Sequence, residues 1–399
     1  MNIVEKIYCR IFQFCFKVAI PLLPYRNPVI LNRVEDIAKI LEKKNKKTIM
    51  LIIDKGVKAL NLSKTLEEAL TDNNITTVIY DKIVSNPTIK NVEEAREIYL
   101  KNNCEALIGF GGGSAIDCAK AVGARISRPN MTIPQMAGIL KILKPLPLLI
   151  AVPTTAGTGS ETTVAALITD SETKHKYMIG DFPLIPHYAI LDAENIKTLP
   201  PHITASVGMD VLVHATEAYI GNSTTKKTRE QALKAISMVY QNLYDTYLNG
   251  NDLIKRENML HASYLAGCAF TVSYVGYCHA IAHALGGLYN IPHGLANAVI
   301  IPYVLEAYGK KIHKKLKQLG IAAGLFDNSI NDEEGANLFI QSIKDLNSKM
   351  NIGTKFDVIE EKDIPQIVSA ALKEANPVYP VPKLMGRKEL TEIVYQLMK

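Results

Sequence analysis

At 399 residues the chain is longer than a typical single domain, so two domains of roughly 150–200 residues are expected. Hydrophobic residues at 48% and charged residues at 21% describe a globular protein with ample core. The net charge of +6 is modest, and no Lys/Arg block or basic–aromatic stripe stands out, which argues against a nucleic-acid partner.

The chain opens with "IYCRIFQFCFKVAIPLLPYRNP", an apolar run broken by Lys17 and Pro21 and without a small-residue cleavage site. It fits a signal peptide poorly and is too short and interrupted for a transmembrane span. Residues 7–20 are expected as an amphipathic helix packed on protein, either this chain or a second subunit; a membrane surface is the alternative. The six cysteines, at 9, 15, 104, 118, 268 and 278, form no C-x-x-C pair, which suits reduced thiols in a cytoplasmic protein.

From residue 48 short apolar runs alternate with helical ones. "TIMLIID" (48–54), "TTVIYD" (76–81), "EALIGF" (105–110) and "PLPLLIAV" (145–152) read as strands. The first three are followed by helices through "LSKTLEEALTDN", "NVEEAREIYLKNN" and "SAIDCAKAVGARIS". Continuous apolar strands separated by helices predict a parallel sheet covered on both faces. Residues 163–181 read as a hairpin with a polar turn. After "LPP" at 199–201 long helical periods dominate, so a boundary near residue 200 is expected. The domains are then an α/β domain over 1–199, with a helical extension over about 1–28, and an all-α domain over 200–399.

Two loops leave strands of that sheet. "LIGFGGGSAIDCAK" (107–120) sets three glycines between strand and helix, where bare backbone N–H groups and a helix N-terminus suit phosphate. The same glycines would serve a tight turn, with Ser114 as N-cap and Asp117 completing a capping box. "AVPTTAGTGSET" (151–162) adds the hydroxyls of Thr154, Thr155 and Thr158. Loops at strand C-terminal ends point to a shared ligand crevice. Asp54, ending the first strand, suits a ribose hydroxyl and would repel a 2′-phosphate, so NAD is expected over NADP.

"GMDVLVHATEAY" (208–219) places Asp210 and His214 four apart, on one helix face. "GYCHAIAHALGGLYNIPHG" (276–294) repeats the spacing with His279 and His283, and His293 follows in a Pro-His-Gly turn. Imidazoles plus a carboxylate predict a metal centre for Fe(II), Zn(II), Ni(II) or Co(II) rather than Ca(II) or Cu(I). Cys278 points about 100° away from the ligand face and is not assigned to the metal.

Together "GGGSAIDCAKA", "PTTAGTGSE", "LPPHITASVGMDVLVHATEAY" and "HAIAHALGGLYNIPHGLANAVIIP" resemble the iron-containing (group III) alcohol dehydrogenase family. The resemblance runs from about residue 45 to 305, continues weakly in "NPVYPVPKLM", and is thin over the first 28 residues. It implies a Rossmann-like parallel sheet with an all-α C-terminal domain, the architecture shared with dehydroquinate synthase, and NAD(P) in the cleft between the domains. It implies Fe(II), or Zn(II), on Asp210, His214, His279 and His293, with His283 beside the metal, the nicotinamide and the substrate. It implies cofactor contacts from Asp54, Asn86, Gly113, Ser114, Thr154, Thr155, Thr158 and Lys176. "VSYVG" (272–276) departs from the family's usual Asn-Ala-Gly-Leu-Gly, which bears on substrate size, and His187 stands where an aspartate is frequent.

The expected activity is reversible hydride transfer between a small alcohol and its aldehyde or ketone, in a homo-oligomer of two or more chains. The ion would act as a Lewis acid, and His283 would relay the proton or support a ligand. A lyase or cyclase of the dehydroquinate synthase type, using NAD transiently, is the alternative. The apolar surroundings of the ligand segments argue against its phosphorylated polyacid substrate. A non-catalytic scaffold would have no reason to keep five Asp and His positions.

Overall fold

The chain is described by a computed structural model, covering residues 1–83, 86–173 and 175–399. Its strands are β1 (Val29–Leu31), β2 (Thr48–Asp54), β3 (Thr76–Ile83), β4 (Ala106–Gly111), β5 (Gly138–Ile139), β6 (Leu148–Pro153), β7 (Ala165–Thr169), β8 (Lys176–Gly180) and β9 (Tyr188–Ile190). Six form one sheet in the order β1-β9-β6-β4-β2-β3, parallel at every pairing. The expected hairpin is β7 against β8, antiparallel, with β5 added to form a second, three-stranded sheet.

Helices Lys64–Asp72, Ile89–Lys101 and Gly113–Ser127 fall where the sequence places them. Along β2 the pleat sends Met50 and Ile52 into one core, and Ile49, Leu51 and Ile53 into another on the opposite face. Both faces are therefore covered, as an apolar parallel strand requires. His187, just before β9, accepts a hydrogen bond from Leu149 N of β6 through Nδ1 (3.1 Å), a structural role at the start of that strand pair.

The chain divides into two compact units, Pro24–Thr198 and Met1–Leu23 with Leu199–Lys399. The second is helical throughout its length. Helix Pro201–Ile220 is apolar nearly all round, and fifteen of its twenty residues are buried, the mark of a core helix.

One expectation about the domains is corrected here. The first 23 residues belong with the helical unit rather than the α/β one. Helix Ile3–Ala19 is tied there through polar side chains. Gln13 Nε2 donates to Tyr379 O (2.7 Å) and Pro377 O (3.2 Å), and Arg10 donates to Val381 O (2.7 Å) and Pro382 O (3.2 Å). Among the described residues no single helix is long and apolar enough to cross a membrane.

Candidate active site

In the helical unit three helices meet. Pro201–Ile220 carries Asp210 and His214, Tyr277–Tyr289 carries His279 and His283, and His293 begins His293–Tyr308. Asn290, in a left-handed conformation (φ 56°), ends the second helix before Pro292 starts the third. The third starts hard against the first: a Cβ on Gly294 would lie 2.4 Å from Ser206 O, so no other residue fits.

One donor atom from each of Asp210, His214, His279 and His293 lies within 4.8 Å of all the others. Asp210 Oδ1 is 3.6 Å from His293 Nε2 and 4.0 Å from His279 Nε2, and Asp210 Oδ2 is 3.9 Å from His214 Nδ1. His283 stands outside this group, its ring stacked on His293 at 5.0 Å and 18°.

The fit to a divalent cation rests on what these atoms lack. His214 Nδ1 and His279 Nε2 are buried without a hydrogen-bond partner, a costly arrangement unless something satisfies them. Burial pushes the His214 imidazole down to about 3, against the pull of Asp210, and holds His279 well below its ordinary value. Both rings are therefore neutral and offer lone pairs. Burial also pushes the Asp210 carboxyl up, as expected of an anion with no fixed positive charge beside it. Three imidazoles, those of His214 and His279 neutral, and a buried carboxylate are a donor set for Fe(II) or Zn(II).

Of three residues that the sequence did not single out, two hold these donors and the third holds His283. Glu217 Oε2 receives His279 Nδ1 at 2.6 Å and Gly276 N at 2.8 Å, and its Oε1 receives Cys278 N at 2.9 Å. That turns His279 Nε2 toward the cluster, the usual carboxylate–histidine arrangement around metals. Asn297 Nδ2 donates to Asp210 Oδ1 at 2.7 Å. Glu374 Oε1 accepts from His283 Nδ1 (2.6 Å) and from the Tyr379 hydroxyl (2.7 Å). Glu217 lies seven residues after Asp210 on the same helix face, and Asn297 four after His293, so spacing could have found both. Glu374 follows His283 by 91 positions, and no local pattern marks it. Cys278 Sγ contacts Asn297 O and Oδ1, at 3.5 and 3.6 Å, away from the four donors.

In the α/β unit the two loops leave β4 and β6, with Asp54 at the end of β2, their neighbour in the sheet. A Cβ on Gly111 would lie 2.7 Å from Ala115 Cβ and 2.9 Å from Asp54 Oδ2. Asp54 Oδ1 meanwhile accepts from Val57 N at 2.9 Å, capping helix Lys55–Ala59. Thr154 N donates to Gly111 O (2.9 Å), and Thr155 and Thr158 stand over Gly112 and Gly113. Asn86, at φ 61°, donates its N–H to Ser114 Oγ (3.3 Å) and accepts from Lys176 Nζ (2.9 Å). Seven of the eight expected cofactor residues thus lie beyond or at the C-terminal ends of β2, β3, β4 and β6, and Lys176, which begins β8 of the second sheet, reaches them through Asn86.

The expected capping box is absent. The N-cap is Gly112, without a side-chain bond, and Ser114 lies inside the helix. Asp117 is half-buried instead, accepting from Ser160 Oγ (2.6 Å) and Leu167 N (3.0 Å). The box fails because the chain enters the helix two residues early, with Gly112 and not Ser114 as N-cap, and the second loop claims the carboxylate.

Residues 29–193 match the family "Iron-containing alcohol dehydrogenase", and residues 204–398 match "Fe-containing alcohol dehydrogenase family, C-terminal". The 1,3-propanediol dehydrogenase of Citrobacter freundii is 34% identical over 386 residues, covering 96% of this chain and 98% of that protein. A crystal structure of a 1,3-propanediol oxidoreductase superposes with a TM-score of 0.90 at 31% identity, over 94% of this chain and 99% of the other. A sulfoacetaldehyde reductase from Bifidobacterium kashiwanohense, in complex with NAD+, gives a TM-score of 0.83 at 27% identity, over 94% and 98%. With the ligand cluster and both loops in place, and two family profiles spanning nearly its whole length, the chain belongs to the iron-containing alcohol dehydrogenase family.

Proposed function

We propose that this dehydrogenase takes NAD, holds Fe(II) on Asp210, His214, His279 and His293, and oxidises small alcohols reversibly. The observation that carries the reading is the pair of buried imidazole nitrogens without partners, beside a buried carboxylate. When bound, the ion would polarise the substrate oxygen and NAD would accept the hydride. Glu217 and Asn297 orient His279 and Asp210. Glu374 holds His283 Nδ1, so His283 exchanges the substrate proton through Nε2. The dehydroquinate-synthase-like reading gains no support from relatives named as dehydrogenases and a reductase.

Anaerobically purified protein is expected to contain one equivalent of iron, lose it to chelators, and reduce NAD with alcohols in a series from ethanol to hexanol and 1,3-propanediol. Iron-loaded protein that reduced NAD with none of these would overturn the proposal.

Cofactor choice is set by Asp54. A carboxylate at the end of β2 repels a 2′-phosphate. Asp54→Asn keeps the oxygen that caps Val57 N while removing the charge. The kcat/KM preference for NAD over NADP is expected to fall by about 10- to 100-fold. Steady-state kinetics with both cofactors reads it, and an unchanged ratio would remove Asp54 from the ribose site.

A further inference from the structure

Helix Ile3–Ala19 is apolar on its outer side as well as on its inner one. Cys9 and Gln13 are its buried residues, and Gln13 and Arg10 fasten it to backbone oxygens of Pro377, Tyr379, Val381 and Pro382. Phe16 adds an edge-on contact with Tyr274 (5.0 Å, 88°). At 100° per residue, Ile3, Val4, Ile7, Ile11, Phe14 and Val18 share one outward arc of about 100°. They are 75%, 70%, 55%, 58%, 67% and 59% exposed, and Leu22, just beyond, is 87% exposed. An ordinary surface helix turns a polar face to solvent, and a continuous apolar face of this kind marks a contact with something apolar.

The flanks say what that is. Lys6, Arg10 and Lys17 fall along one edge of the arc, within about 40° of one another. Arg10 spends its bonds on neutral oxygens, from Val381, Pro382 and Gln13. Glu5, the helix's acidic residue, lies across the axis and bonds Asn2 N at the cap. Lys17 and Arg229 both stand near Lys315, whose pKa is pulled down to about 8 by burial first and then by these two cations.

A second copy is a poor occupant. A stable dimer buries about 800 Å² per partner, and on this helix a second copy offers no acidic group to meet Lys6, Arg10 and Lys17, because Glu5 lies across the axis. An anionic bilayer surface needs no such area: an interfacial helix sinks its apolar face to the acyl boundary while a basic edge meets the headgroups. We infer that helix Ile3–Ala19 docks the protein on anionic lipid surfaces, with Ile7, Ile11 and Phe14 inserted and Lys6 and Lys17 against the headgroups.

The test is co-sedimentation of the full chain with phosphatidylcholine vesicles, with and without about one-third phosphatidylglycerol. Wild type is expected in the pellet with the anionic vesicles, and to be released from them by salt. Ile7→Ser/Ile11→Ser/Phe14→Ser is expected to weaken binding by about 100-fold or more, with alcohol oxidation unchanged as the check on folding. Lys6→Gln and Lys17→Gln each weaken it about fivefold. Wild type left in the supernatant, or a triple variant that pellets like wild type, would overturn the inference. So would light scattering showing the triple variant at half the wild-type mass while wild type ignores vesicles, because a second copy would then be the occupant.

Discussion

Asp210→Asn is expected to abolish iron binding and activity while making the metal-free protein more stable. The side chain is 2% exposed, and burial pushes its carboxyl up, with His214 only partly opposing and Glu217 adding to the rise. A buried carboxylate facing neutral imidazoles is costly until a cation joins it. Asparagine keeps the volume and the oxygen that receives Asn297 Nδ2, and removes the charge. Without metal the variant should gain about 1–2 kcal/mol, raising the melting temperature by about 2–4 °C per kcal/mol. With metal the order reverses. Wild type at a hundred times the Kd of Fe(II) gains about 2.7 kcal/mol, and the variant gains nothing. kcat/KM should fall at least about 1,000-fold. Calorimetry with and without Fe(II), together with iron content, reads both halves. A variant that kept its iron, or that melted earlier than wild type without metal, would show that Asp210 belongs to a structural network instead.

Such a two-sided outcome can be framed because most of the site was legible before any coordinates. The i,i+4 pairs of Asp210 with His214 and His279 with His283 need only helical geometry to share a face. Once both helices are buried, convergence follows from the shortage of other places to put polar groups. β2, β4 and β6 were legible because a strand buried on both faces must be continuously apolar. β1 and β9 were not: at three residues each, neither is long enough to show a period, and their places are decided by tertiary pairing, β9 between β6 and β1 and β1 at the edge. Glu374 and the mounting of helix Ile3–Ala19 escaped for a related reason. Both depend on contacts hundreds of positions apart or nearly so, such as Arg10 to Val381, where no local spacing carries the information. The capping box at Ser114 and Asp117 was misjudged because local capping competed with a tertiary partner, Ser160, and lost.

That competition has a second consequence, at Lys120. Its ammonium is completely buried and donates to Thr163 O (2.9 Å), Thr163 Oγ1 (2.8 Å) and Ala165 O (2.9 Å), binding the end of the threonine-rich loop to the glycine-loop helix. Burial pulls its pKa down to about 8, against Asp117 and Glu161, and pushes the Glu161 carboxyl up to about 7 and Asp117 upward. Lys120→Met fills the space but takes the donor from Thr163 O, leaves Ala165 O with Thr163 Oγ1 at 3.3 Å, and removes the cation from buried Glu161 and half-buried Asp117. The expected loss at about pH 8 is about 3–5 kcal/mol, with a higher KM for NAD and unchanged iron content. The pH dependence has a definite sign. Glu161 binds its proton more tightly folded than unfolded, so its contribution is present below its ordinary value of 4.5 and is lost as pH rises toward about 7. Without Lys120 the carboxyl is pushed higher still, and the loss continues above pH 7. The gap between variant and wild type should therefore be smaller at about pH 5.5, where Glu161 is protonated in both, than at about pH 8. Denaturant unfolding at the two pH values measures it. An equal gap at both would mean that the lysine acts through its hydrogen bonds alone, and a gap near zero would mean that the loop does not depend on it.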